Sequence, residues 1–250
     1  DSNLGRSRKL LRTIGRMGTL LMTGGDQRRL TEALLHCADA TPVLHSIVTA
    51  FERGTRIVAA AASATALGAR MIAEGDSLSA LRFGSSEDAS GAGAIVERGI
   101  GLTRLGLIDQ HFVRRRRLGR LLIACAEQRQ RFGFGLCEGS GLIIHGDGRE
   151  IEAIGRAGVV IAELHADAVR LAPGVPDPAG IRLYILEPGR RVAIENLAAE
   201  TSHRSGVATA LLEEALDDLA RDYRAALGDA ADRFDAPRWR QTIRVRGPLH

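Results

Sequence analysis

Hydrophobic residues along this chain come in short runs, each closed by glycine or small polar residues, and several runs are followed by a helical pattern. Gly18–Thr23 (GTLLMT) predicts a strand that ends in the Gly24-Gly25 turn, with a helix through Arg29–Leu35. Arg56–Ala60 predicts a second strand. It leads into Ala61-Ala62-Ser63-Ala64-Thr65 and a helical stretch that reaches Ile72. Leu107-Ile108 predicts a strand before Asp109-Gln110-His111, and Leu118–Gln128 reads as a helix. Phe134–Cys137, Gly141–Ile144, Gly158–Glu163 and Ile181–Leu186 complete the strands. Apolar strands that alternate with helices predict an α/β fold with a mainly parallel sheet covered on both faces. No internal repeat is visible. Pro173, Pro176 and Pro178 mark a loop. Past Glu195, Leu212, Leu216, Leu219, Tyr223 and Leu227 recur every three or four residues and predict an amphipathic helix. Trp239 and the alternating Thr242–Val245 then predict a short strand that packs back.

Composition narrows the class. The chain has 250 residues, 45% hydrophobic and 26% charged, which describes a globular protein large enough for one sizeable domain. No apolar run approaches the roughly 20 residues of a membrane-spanning helix, so no membrane partner is expected. The net charge of +4 comes from arginine, which raises the question of nucleic acid. Aromatics are only 4% and the basic residues are dispersed apart from Arg114–Arg117, so no nucleic-acid partner is expected. Cys37, Cys125 and Cys137 match neither a disulfide framework nor a zinc pattern, which fits a reducing, cytoplasmic setting and no metal site.

Three residues could carry chemistry. Ser63 lies among small residues between a strand and a helix, the setting of a nucleophile elbow; a helix start in an alanine-rich run reads the same way. His111 sits at a strand end, where open α/β folds build their sites, and histidine is the usual base for a serine hydroxyl. Glu138 follows a strand in a glycine-rich stretch, where a carboxylate could orient that histidine. Arg114–Arg117 with Arg120 is either a solvated helix start or a cradle for carboxylates beside the histidine.

Together these segments resemble the cyanophycinases, a group of serine exopeptidases. The matching runs are TGGDQRRL at Thr23–Leu30, ASATALGARMIAEGDS at Ala62–Ser77, GLIDQHFVRRRRLGRL at Gly106–Leu121 and GFGLCEGSGLII at Gly133–Ile144. IRLYILEPG at Ile181–Gly189 looks like the closing strand, so the resemblance covers about residues 18 to 190. It implies a three-layer α/β/α arrangement of the class I glutamine amidotransferase-like, flavodoxin-like kind. A peptidase domain would span residues 1–195, with its N-terminal part incomplete; residues 196–250, which have no counterpart in the resemblance, are expected to form a helical extension with a short strand. The resemblance makes Ser63 the nucleophile, His111 the general base and Glu138 its partner. It places Gln27, Asp109, Gln110, Arg115, Arg117 and Arg120 at the substrate. The implied substrate is cyanophycin, a poly-aspartate with arginine joined to each side-chain carboxylate, cut to β-Asp-Arg dipeptides by a homodimer that needs no cofactor. The EGDS at Glu74–Ser77 points to cyanophycinases proper rather than to relatives that cut other aspartyl peptides. The elbow departs from the family's GTSAGA: here Ala61–Ala66 reads AASATA. Beside the alternative of a dipeptidase or exopeptidase for other aspartyl or isoaspartyl peptides, that departure keeps a further reading open, a binding module that no longer cleaves.

Overall fold

Small polar caps decide where the helices begin. In the computed structural model, which describes residues 8–36, 39–146, 148–165, 180–197 and 206–227, Asp26 accepts a hydrogen bond from the Arg28 N–H and starts α2 (Gln27–Leu34). Thr41 caps α3 (Pro42–Glu52), whose first position holds a proline. Asp76 and Ser79 form a reciprocal capping box on α5 (Ser77–Phe83). The other helices are α1 (Arg8–Ile14), α4 (Ala62–Ala66), α6 (Leu118–Glu127) and α7 (Gly206–Leu227).

The strands are β1 (Thr19–Met22), β2 (Leu35–His36), β3 (Asp39–Ala40), β4 (Arg56–Ala59), β5 (Arg70–Glu74), β6 (Ser85–Ser86) and β7 (Ala94–Arg98). They continue as β8 (Leu107–Gln110), β9 (Phe132–Leu136), β10 (Ser140–His145), β11 (Glu150–Gly155), β12 (Val159–Leu164), β13 (Ile181–Leu186) and β14 (Arg191–Ala193). Strand β1 lies parallel to β4, with Thr19 opposite Arg56. A four-stranded sheet runs β13-β12-β9-β8, and smaller sheets run β5-β7-β6 and β10-β11-β14.

The chain is α/β, but the expectation of a mainly parallel sheet is not met among the described strands. Only β1/β4, β6/β7 and β8/β9 pair in parallel; β5/β7, β9/β12, β12/β13 and the β10-β11-β14 ladder are antiparallel. The reason lies in burial. All six residues of β12 are buried, so the alternation that marks a one-sided antiparallel strand is erased. The helical stretch expected to run to Ile72 also differs: α4 ends at Ala66, and Arg70–Glu74 is a strand. Gly68 ends the helix in a tight turn, where an added Cβ would come 2.7 Å from the Arg70 carbonyl oxygen.

One large core joins Ile72, Leu81, Phe112, Leu121 and Leu183 to Leu212, Leu216, Leu219 and Tyr223 of α7. The amphipathic helix beyond Glu195 therefore shares the core of the residues before it, packed on α5 and α6. Cys37, the proline-marked stretch 173–178 and the tail with Trp239 and Thr242–Val245 lie outside the described residues. No described helix is long and apolar enough to cross a membrane.

Candidate functional site

Two parallel strands deliver two side chains to one edge. β8 and β9 end together, with Gln110 opposite Leu136, so His111 and Glu138 leave the sheet at the same carboxyl end. The Phe112 N–H donates to the Leu136 carbonyl at 3.2 Å, and the Phe112 ring lies fully buried against Gly135. A Cβ on Gly135 would sit 2.3 Å from that ring, so only glycine admits it. With Phe112 anchored inward, the chain turns left-handed at His111 (φ 50), and the imidazole is directed outward. His111 Nδ1 lies 3.2 Å from Glu138 Oε1, and the two side chains are 39% and 34% exposed. In the tautomer protonated at Nδ1, the ring donates to Glu138 and leaves Nε2 as an acceptor.

Behind this pair sits a buried ionic lock. Asp109 Oδ2 accepts from Arg120 Nε at 2.7 Å, and its Oδ1 accepts from Arg120 Nη2 at 2.6 Å. Oδ1 also accepts from Arg117 Nη1 at 3.2 Å and from the Gln110 N–H at 2.8 Å. Arg120 Nη1 donates to the Gly75 carbonyl at 2.5 Å, and Arg117 Nη1 to the Gln110 carbonyl at 2.7 Å. Burial pulls the Arg117 pKa below the usual guanidinium value, with the Asp109 carboxylate opposing the shift. Of the residues expected at the substrate, Asp109 and Arg120 thus have their charged groups engaged with each other and with backbone. Their arrangement fixes the end of β8 to the start of α6. Gln110 Oε1 is buried with no hydrogen-bond partner among the described residues. Arg115 is exposed, its N–H donating to the His111 carbonyl at 3.0 Å. Gln27 Nε2 donates to the Ala73 and Ile72 carbonyls at 2.8 and 3.3 Å, which ties α2 to β5.

Ser63 is placed differently from the expectation. It lies inside α4, 5% exposed, and its hydroxyl donates to the Thr23 carbonyl. A hydroxyl has one proton to donate, so in this arrangement Ser63 does not donate to His111. Thr65 is also buried, its Oγ1 donating to the Ala62 carbonyl at 2.8 Å, so its branched side chain does not crowd the mouth of the turn. Ala61, one residue before α4, has φ 53 and ψ −125, a conformation that costs a non-glycine residue about 1–3 kcal/mol. Sequence reasoning passed over Ala61, because a methyl side chain announces nothing and the backbone angle is not written in the residue type. The available signal was the strand's end: β4 stops at Ala59, which puts the bend before Ser63. Cys137, beside Glu138, offers no rival nucleophile, since burial and then the charge of Glu138 push its thiol up to about 12. Among the described residues, no cluster of three or more His, Cys, Asp or Glu could hold a metal ion.

Part of the chain is similar to known proteins. A cyanophycinase from Trichormus variabilis is 32% identical over 179 residues, covering 69% of this chain and 55% of the relative. One from Geminocystis herdmanii is 33% identical over 178 residues, 69% of this chain and 61% of the relative. Over that stretch the chain is similar to the cyanophycinases. A third cyanophycinase, from Synechococcus elongatus, is 31% identical over 156 residues, 62% of this chain and 44% of the relative. The chain thus spans about half the length of the cyanophycinases it matches. A solved peptidase from an acI-B1 Actinobacterium shares the fold, with a TM-score of 0.52 and 14% identity over 76% of this chain and 65% of that one. No protein-family model matches the chain.

Proposed function

We propose that this chain recognises cyanophycin, or an aspartyl-arginine peptide of the same chemistry, at the carboxyl edge of β8 and β9. The observation that carries the proposal is the half-buried His111–Glu138 pair with exposed Arg115 beside the histidine on the same loop. Each cyanophycin unit presents one carboxylate and one guanidinium. Exposed Arg115 can hold the carboxylate, and a guanidinium suits the Glu138 carboxylate. The names of the relatives support the same substrate class. Asp109, Arg117 and Arg120 act on this reading by holding the loop rather than by touching the polymer.

The frame of the proposal is the three-layer plan of a serine exopeptidase that releases β-Asp-Arg dipeptides. In that plan His111 is the base, Glu138 fixes its tautomer, and a hydroxyl on the turn between β4 and α4 attacks. Ser63 is not adopted for that hydroxyl, since it faces Thr23. The test is cosedimentation of the purified chain with insoluble cyanophycin granules, competed by soluble β-Asp-Arg. The expected result is saturable binding that the dipeptide displaces. Granules that leave the protein in the supernatant would end the proposal.

A further inference from the structure

Hydrolases that use a hydroxyl often mount it on a strained residue between a strand and a helix, where the side chain stands clear of both. In this chain the residue with that backbone is Ala61. It comes two residues after the end of β4 and immediately before α4, at φ 53 and ψ −125, and it is exposed. The Gly24-Gly25 turn that follows β1 flanks it: a Cβ built on Gly24 would come 3.0 Å from the Ala61 Cβ. A glycine at position 24 therefore keeps open the space beside the side chain of position 61. Ser63 has the opposite surroundings. It is buried in α4, and its hydroxyl is directed to the Thr23 carbonyl. Helix α4 packs on β8, whose end carries His111.

We infer that position 61 is the nucleophile's place, that alanine occupies it, and that the chain keeps a base and its orienting carboxylate without a group to attack. The protein then holds its ligand without forming an acyl-enzyme. The ligand class rests on the cyanophycin reading above; the assignment of position 61 rests on the backbone alone.

The substitution Ala61→Ser supplies the missing hydroxyl at an unchanged Cβ. Its oxygen would bond to the scissile carbonyl carbon while its proton passes to His111 and then to the departing amine; water would release the ester and restore the hydroxyl. A fluorophosphonate tests the same step without the polymer: an oxygen–phosphorus bond forms, the phosphorus–fluorine bond breaks, fluoride leaves, and His111 takes the proton. The experiment compares wild type, Ser63→Ala, Ala61→Ser and Ala61→Ser/His111→Ala, all shown folded by circular dichroism. Intact mass reads the probe adduct and mass spectrometry reads dipeptide release from cyanophycin. We expect no adduct and no dipeptide from wild type or Ser63→Ala. Ala61→Ser should take up the probe and release dipeptide at about 10²-fold or more above the assay background that wild type gives, and the double variant should lose both. A wild-type adduct on Ser63 overturns the inference, and so does wild-type turnover that disappears in Ser63→Ala. A folded Ala61→Ser protein that takes up no more probe than wild type overturns it equally. Granule binding is measured in parallel. If binding fails while Ala61→Ser still gains the adduct, the substrate class is wrong and the assignment of position 61 stands.

Discussion

Asp109 and Arg120 grip each other through two hydrogen bonds of 2.7 and 2.6 Å, with Asp109 fully out of water and Arg120 5% exposed. An arginine held this way is a structural cation. Arg120→Met should destabilise the fold by about 3–5 kcal/mol, because it leaves a buried carboxylate without its main partner. Arg120→Lys should also lose stability, since one ammonium cannot satisfy both carboxylate oxygens and the Gly75 carbonyl. Urea unfolding measures both. A wild-type midpoint in Arg120→Lys, together with weakened granule binding, would return Arg120 to the substrate.

Arg115 should behave in the reverse way. It is exposed, so Arg115→Ala should change stability by no more than about 0.5 kcal/mol. Granule affinity should fall by about tenfold at low salt, and less at high salt, where exposed charges are screened. Unchanged affinity at every ionic strength would remove Arg115 from the proposed site.

Glu163 offers a pH test far from the site. Its side chain is 7% exposed; Oε1 accepts from Arg131 Nη2 at 2.7 Å and Oε2 from the Tyr184 hydroxyl at 2.9 Å. Burial alone would raise its pKa, but the hydrogen bonds from Arg131 and Tyr184 outweigh it and hold the group below the usual carboxylate range. A depressed folded pKa means stability that is present above the unfolded value and is lost as pH falls through the folded one. Glu163→Gln should therefore unfold more easily than wild type at pH 7, by about 1–2 kcal/mol, and the gap should narrow on acidification. Denaturant titrations at pH 7 and pH 3 read this out. A gap that widens in acid would contradict the stated cause.

Gly135→Ala tests the anchor of the loop. The new methyl would meet the Phe112 ring at 2.3 Å, so the ring must move. Overpacking of this kind costs typically about 1–3 kcal/mol. His111 immediately precedes Phe112 in the chain, so the imidazole should move with the ring. Changed chemical shifts of the His111 ring protons in NMR spectra, beyond any loss of stability, are the expected signature. An unaltered His111 resonance in a folded Gly135→Ala protein would show that ring and imidazole are not coupled.

Much of this was legible in the chain, and the failures have identifiable causes. His111 and Glu138 could be paired from sequence because each follows a strand that ends at the same edge. Ser63 could not be placed, because the direction of its hydroxyl depends on where the strand stops and on the angles of Ala61. The arginine run showed the same limit. Spacing along a helix does not say which arginine is buried; the partner on the preceding strand, Asp109, decides that for Arg120. The strands of the four-stranded sheet were found but not their directions, since β12 is buried along its whole length. Gly68 and the burial of Met71 and Ile72 explain why a stretch that reads as helix became β5.

The hydrogen bond from Arg82 Nη2 to the Ala225 carbonyl, 2.7 Å long, spans 143 residues of chain. Helix α7 lies on α5 and α6, with Leu212, Leu216, Leu219 and Tyr223 filling the space between them. On a ribosome, that side of the apolar interior therefore stays open until the last of these residues has emerged. Contacts so remote in sequence close late and slow the search for the native state. During that interval a chaperone would find the sides of α5 and α6 that α7 packs on uncovered, and a chain cut before α7 would keep them so.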